Sequence, residues 1–325
     1  MPTALITCVH LWRNFGDFAS EYEQLGVTAV LPELAGQQFD ARQMVTLIEG
    51  VEAVIAGDDV IDRGVLEAGG TSLKAVIKWG VGIDAIDTRA AVALGIPVFN
   101  TPGVFADEVA DLAMSHLLML ARRTHRLHAS VLAGEWLQLE GRSLAGLTAG
   151  VIGLGSVGAA IARRAVAFGM DVVGYDVRVV PAEEHRVPTL RQAGLRDVFR
   201  ACDVLFLACQ LTAESHHLVS REAINRMREG VLIVNVARGP LIDQEALVDA
   251  LASGKVGGAG LDVFEEEPLP GDDPLRRFAD RCVFTTHNGS STSEAVARTN
   301  RIANDVLFHV LGLKPAASFT PNRVA

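Results

Sequence analysis

A chain of 325 residues exceeds what one hydrophobic core usually supports, so two domains are expected. Its 49% apolar and 21% charged residues fit a globular protein, and a net charge of −10 argues against nucleic acid, whose phosphates it would repel. With 31 glycines and only 6% aromatics, tight turns and closely packed α/β layers are favoured.

The N-terminal run Met1-Pro2-Thr3-Ala4-Leu5-Ile6-Thr7-Cys8-Val9 has no basic segment followed by a long apolar stretch, and reads as a first strand, not a leader. Apolar runs at Ala4–Val9, Val27–Leu31, Ala53–Ala56, Leu73–Trp79 and Val98–Asn100 alternate with helix-like segments. This β-α-β rhythm predicts a mostly parallel sheet covered on both faces. One long helix is expected from about Asp107 to Leu132. Acids crowd its start, as the helix dipole favours, and Val109, Ala113, Leu117 and Leu120 share a face. Its apolar surface is wide, which predicts an interdomain or dimer-interface helix. His116, His125 and His128 lack clustered acidic or cysteine partners and read as packing or surface residues.

The rhythm restarts near Thr148 with strand candidates Ala149–Gly153, Asp171–Tyr175, Val204–Ala208, Val231–Val236, Gly258–Val263 and Cys282–Thr286. The tail reads as helical from Ser293 to about Leu313, then polar. The expected fold is α/β with two doubly wound parallel-sheet domains. Residues 1–99 and 291–325 form a discontinuous substrate domain, and 100–290 a central Rossmann NAD-binding domain. No apolar run is long enough to span a bilayer. Cys8, Cys202, Cys209 and Cys282 have no metal-ligand spacing and read as reduced core residues, so no metal site and a cytoplasmic protein are expected.

The strongest local motif is Gly153-Leu154-Gly155-Ser156-Val157-Gly158. A lone GxGxxG is weak, but this one follows an apolar strand and opens a helix. There the glycines provide a tight turn, close approach to a pyrophosphate, and close helix–strand packing. Asp176 ends the next strand 18 residues beyond Gly158, near the spacing of a ribose-binding acid. A carboxylate there repels a 2′-phosphate, which favours NAD over NADP. Arg178 either greets such a phosphate or is an exposed loop residue, and the second reading is preferred.

Further motifs complete a pattern: Trp79-Gly80-Val81-Gly82-Ile83-Asp84, Asn100-Thr101-Pro102-Gly103, Asn235-Val236-Ala237-Arg238-Gly239, Leu261-Asp262-Val263-Phe264 running to Glu267-Pro268, and Thr286-His287. Together they resemble the D-isomer-specific 2-hydroxyacid dehydrogenases over essentially the whole chain. Reducing a 2-keto acid needs a cation for the carboxylate and a proton donor for the nascent alkoxide. Arg238, following an apolar strand, supplies a forked guanidinium. His287, also at a strand end, is the candidate general acid. By resemblance Glu267 pairs with His287, and Asp262 holds the nicotinamide amide. The same resemblance places Thr212, Val236 and Gly289 in the cofactor site, and makes the backbone amides of Val81 and Gly82 a second grip on the substrate carboxylate. The remaining acids of the run, Glu265 and Glu266, read as solvated.

The pattern has departures. The loop Ala56-Gly57-Asp58-Asp59 carries acids where relatives acting on phosphorylated substrates tend to be basic, although Arg63, Lys74 and Lys78 are near in sequence. Phe105 replaces a frequent asparagine, and Cys209-Gln210-Leu211-Thr212 replaces the usual His-x-Pro-Leu-Thr. The resemblance implies an NAD-dependent enzyme, a homodimer, interconverting a small D-2-hydroxy acid and its keto acid. D-3-phosphoglycerate oxidation stays open as an alternative; the expected absence of extra regulatory domains counts against it. So does a non-enzymatic NAD(H)-sensing corepressor role, which would call for long disordered flanks.

Overall fold

The computed structural model describes residues 1–34, 36, 38–315 and 322–325. It divides into two units, Met1–Val104 with Thr292–Ala325, and Phe105–Ser291. The sequence reading puts the cuts at 99 and 290.

The first unit is built on β1 (Thr3–Ile6), β2 (Thr28–Val30), β3 (Ala53–Ala56), β4 (Ala75–Lys78) and β5 (Val98–Asn100). They lie parallel in the order β5-β4-β3-β1-β2. A two-residue strand, Asn322–Arg323, joins β5 antiparallel. β3 and β4 are buried along their full length, as expected for strands covered on both faces. The strand order reverses between β1 and β3, which opens a crevice at the carboxyl ends.

Two polar anchors explain why the C-terminal helix Ser293–Val310 returns to this unit. Trp79 Nε1 donates to Asn300 Oδ1 at 2.8 Å, and the Tyr22 hydroxyl donates to Asn304 Oδ1 at 2.6 Å. Both asparagines are buried, so each bond satisfies a group that would be costly unpaired. The helix ends at Val310, three residues earlier than expected, and the polar tail lies partly outside the described residues. β1 also stops early, because Cys8 O accepts from Trp12 N and Val9–Arg13 turn into a short helix.

The second unit contains β6 (Thr148–Ile152), β7 (Asp171–Tyr175), β8 (Arg191–Gln192), β9 (Val204–Leu207), β10 (Val231–Asn235), β11 (Val256–Leu261) and β12 (Cys282–Phe284). All are parallel, in the order β8-β7-β6-β9-β10-β11-β12, a doubly wound sheet reversing between β6 and β9. The two-residue β8 was not anticipated, since Arg191 and Gln192 form an edge without an apolar run. The period-two alternation of strands divides the core. Leu205, Leu207 and Ile233 join one cluster, and Val204, Phe206 and Val234 the other.

The expected single helix is two, Ala106–Arg122 and Thr124–Leu132, parted at Arg123 with φ 53°. At the break, Ala121 O accepts from Arg142 N at 2.8 Å, a partner from a distant loop for a carbonyl the helix end releases. Its wide apolar surface packs inside the unit, against the helix Ser156–Ala167 and β10 to β12. Arg164 bridges Asp107 at 3.0 Å and Asp111 at 2.6 Å.

Candidate active site

The glycine-rich segment leaves β6 and enters the helix Ser156–Ala167, whose first two residues are Ser156 and Val157. Gly153 has φ 89°, and a Cβ there would meet the Cys209 backbone at 2.7 Å. A Cβ on Gly158 would lie 1.8 Å from Gly153 O. Gly155 differs, since a Cβ would meet nothing within 4 Å. Two glycines are therefore demanded by the protein's own packing, and the middle one faces open space. An open glycine beside the free N–H groups of a helix start suits a pyrophosphate, so these residues fit a dinucleotide.

Asp176 is tied to this loop, its Oδ2 accepting from Leu154 N at 2.8 Å and its Oδ1 from Arg178 N at 3.2 Å. The Arg178 guanidinium forms a two-pronged pair with Glu184, at 2.6 and 3.2 Å, on the surface. Arg178 is thus an exposed loop residue with a committed partner. Thr212, in the loop after β9, is exposed, and its N–H donates to Ser215 Oγ at 2.8 Å.

Arg238 emerges just beyond β10, in extended backbone ahead of a short turn, Gly239–Leu241. The loop is pinned from below. Asn235 Nδ2 donates to Arg238 O at 2.8 Å, and Asn235 Oδ1 accepts from Ala237 N at 3.1 Å. A Cβ on Gly239 would sit 1.9 Å from Phe264 C, so only glycine lets this turn rest on the segment leading to Glu267. Val236, half-buried, packs against the core beneath.

Glu267 and His287 meet. His287 Nδ1 donates to Glu267 Oε2 at 2.8 Å, and Glu267 Oε1 accepts from Phe264 N at 2.9 Å. The carboxylate is thus held from both sides, and it holds the ring's tautomer with Nε2 on the opposite edge. His287 has φ 53°, uncommon for a non-glycine residue. Its N–H donates to Asp262 O at 2.7 Å, and the next amides, Asn288 and Gly289, donate to Asp262 Oδ1 and Oδ2 at 2.8 and 2.9 Å. Asp262 is buried at the end of β11, and one of its present tasks is to shape the loop carrying His287. Glu265 is exposed, as expected, and also accepts from His217 Nε2 at 2.7 Å and Gln244 N at 3.3 Å.

In the first unit, Gly80-Val81-Gly82 follows β4 and is fastened by the motif after β5. Asn100 Nδ2 donates to Val81 O at 2.9 Å, Gly80 N donates to Thr101 Oγ1 at 2.8 Å, and Gly80 has φ 117°. Among the described residues, the Val81 and Gly82 amides have no protein acceptor. Asp59 is the last residue of the Ala56-Gly57-Asp58-Asp59 loop. It is buried, accepting from Thr7 Oγ1 at 2.5 Å, Phe39 N at 2.8 Å and Gly57 N at 2.9 Å. Lys78 is also buried and pairs with Asp58 at 2.9 Å. Arg63 pairs with Glu67, and Lys74 with Glu52.

The model of the D-isomer specific 2-hydroxyacid dehydrogenase NAD binding domain matches residues 114–289, more than half of the chain. A hydroxypyruvate reductase from Thermotoga maritima is 38% identical over 286 residues, 86% of this chain and 92% of that protein. The chain belongs to the D-isomer specific 2-hydroxyacid dehydrogenases. A glyoxylate reductase from Thermofilum pendens is 36% identical over 78% of this chain and 76% of its own length. A solved structure of D-lactate dehydrogenase from Aquifex aeolicus, complexed with NAD and lactic acid, superposes with a TM-score of 0.85 at 26% identity, covering 99% of this chain and 98% of that one. This dehydrogenase is an NAD-dependent enzyme of 2-hydroxy acid chemistry.

Sequence reasoning passed over several residues that organise the site. Asn235 was quoted only as motif, although its amide shapes the Arg238 loop. Thr285 and His116 were not connected to Asp262 at all. Their signal is purely tertiary, since 169 positions separate the two.

Proposed function

We propose that the enzyme reduces a small, unphosphorylated 2-keto acid of the glyoxylate or hydroxypyruvate type, or runs the reverse oxidation of the D-2-hydroxy acid. The observation that carries this reading is the 2.8 Å pair of His287, after β12, with Glu267, after β11, the strand next to the β10 that leads to Arg238. Gly153, Leu154, Gly155, Ser156, Val157 and Gly158 would hold the dinucleotide phosphates, Asp176 its ribose, and Asp262, with Thr212, Val236 and Gly289, its nicotinamide side. The bound cofactor supplies or accepts the hydride. Arg238 grips the substrate carboxylate with its forked guanidinium. As the carbonyl oxygen gains charge, His287 gives it the Nε2 proton and is left neutral, with Nδ1–H retained against Glu267. Oxidation returns that proton to Nε2.

Unphosphorylated substrates are favoured because the cations nominated for a phosphate already have carboxylate partners, at Lys78–Asp58, Lys74–Glu52 and Arg63–Glu67. A homodimer is favoured by the apolar surface of Val131, Leu132, Trp136 and Leu137, with Trp136 83% exposed. A cytoplasmic setting is in keeping with four free thiols. Among the described residues, no helix is long and apolar enough to cross a membrane.

The test is NADH oxidation against glyoxylate, hydroxypyruvate, pyruvate and bulkier keto acids, with NAD and 3-phosphoglycerate run in reverse and His287→Ala as control. Turnover of a small keto acid that vanishes in the variant supports the proposal. Preference for 3-phosphoglycerate overturns the substrate assignment. NADH binding without turnover of any acid favours the non-enzymatic reading.

A further inference from the structure

His116 lies mid-way along the helix Ala106–Arg122 and is buried. Its position rests on a second residue, since a Cβ on Gly260 of β11 would stand 2.6 Å from His116 Cβ. Only a glycine at 260 lets the imidazole lie against that strand. From there Nε2 reaches Thr285 Oγ1 at 3.1 Å, and Thr285 Oγ1 donates to Asp262 Oδ1 at 2.6 Å. The direction of this chain follows from its end. Ionised Asp262 can only accept, and Thr285 has one hydroxyl proton, which the shorter bond to the anion claims. His116 must therefore donate through Nε2–H. Its other nitrogen, Nδ1, is buried against the Gly260 backbone. Burial lowers the pKa of this histidine, with the Asp262 charge and the Gly260 backbone opposing, which agrees with a neutral ring.

Asp262 is the common acceptor for that hydroxyl and for the amides of Asn288 and Gly289, the two residues after His287. We propose that His116 is a positioning residue: through Thr285 it orients the Asp262 carboxylate that holds the His287 loop in its left-handed turn. The consequence for catalysis rests on His287 being the general acid; the consequence for the loop does not. A rotated Asp262 would release two amides beside His287 and let its Nε2 wander from the substrate oxygen. The carboxylate grip proposed for Arg238 would be untouched.

The test uses four variants of the 325-residue chain: His116→Leu and Thr285→Val, which break the hydrogen-bond relay, and His116→Gln and Thr285→Ser, which keep a donor at each point. Amide exchange of Asn288 and Gly289 in the free protein should rise about tenfold or more in the breaking pair and return towards normal in the conserving pair. With the best keto acid, kcat should fall roughly ten- to a hundredfold in the breaking pair while KM for the acid changes less than about threefold, with recovery in the conserving pair. Exchange and kcat that stay at wild-type levels in His116→Leu overturn the inference. So does a loss that His116→Gln and Thr285→Ser fail to reverse, which would mark plain core packing. If the exchange pattern appears but wild-type protein turns over no acid, the positioning role stands and the catalytic reading falls.

Discussion

Glu267→Gln isolates the charge behind His287 while keeping the side chain's size. The amide oxygen can still accept from Phe264 N, now at 2.9 Å from Glu267 Oε1, so the loop has no reason to collapse. What disappears is the anion 2.8 Å from His287 Nδ1. At that separation two unit charges interact by about 1.5 kcal/mol in water and about 6 kcal/mol at an effective dielectric near 20. Both side chains are 23% exposed, so solvent screens part of this, and the lower half of that range applies. Charge-assisted hydrogen bonds contribute about 1.5–3 kcal/mol, which corresponds to a roughly ten- to 150-fold loss in rate. The loss should fall on kcat for keto acid reduction, because Arg238 and the substrate carboxylate do not touch Glu267 in the proposed scheme. Steady-state NADH oxidation with wild type and variant side by side measures it, with a thermal melt to show that both are folded. A folded variant within twofold of wild-type kcat would refute the assignment of Glu267 as the partner that orients and supports the proton donor.

Gly158→Ala would drive a Cβ to 1.8 Å from Gly153 O, which no rotamer change can relieve. It should destabilise the second unit by about 3 kcal/mol and abolish NADH binding, read by urea titration and by ligand fluorescence; binding at wild-type affinity would contradict the close-approach argument. Glu184→Gln frees the Arg178 guanidinium beside Asp176, and with Asp176→Ala should raise the NADPH-to-NADH affinity ratio roughly tenfold or more, measured by direct titration. Adding Arg178→Ala should remove that gain, and a ratio indifferent to Arg178 would show that the pair has no bearing on cofactor choice. The pKa values of His10 and His116 are both lowered, chiefly by burial, from 6.5. Because the unfolded chain then takes up these protons first, stability is full above about pH 6.5 and declines as pH falls through that value towards the folded-state pKa. His116→Gln should flatten the decline in denaturation midpoints between about pH 7.5 and 5.5, and an unchanged slope would exclude His116 as a contributor.

Local pattern alone determined the rhythm of this molecule. Ala53–Ala56, Val98–Asn100 and Asp171–Tyr175 coincide with observed strands because buried parallel strands are short, apolar and closed off by turn residues. The Gly-rich turn, Asp176, Arg238 and His287 stand out for a related reason, each lying just beyond an apolar run, where doubly wound sheets expose chemistry, whereas Glu267 is singled out from its three-glutamate run only by the family resemblance. Ends and breaks were less legible. The left-handed Arg123 that divides one expected helix into two is fitted by a carbonyl finding Arg142, which no helical periodicity encodes. The closing of Thr7, Phe39 and Gly57 around the loop acid Asp59, and the pairing of Lys78 with Asp58, are encoded by no local pattern. The link from His116 through Thr285 to Asp262 joins three separate elements, the helix Ala106–Arg122, the end of β12 and the end of β11. Hydrogen bonds between residues far apart in the chain depend on where the strands bring them, and only the tertiary structure decides that.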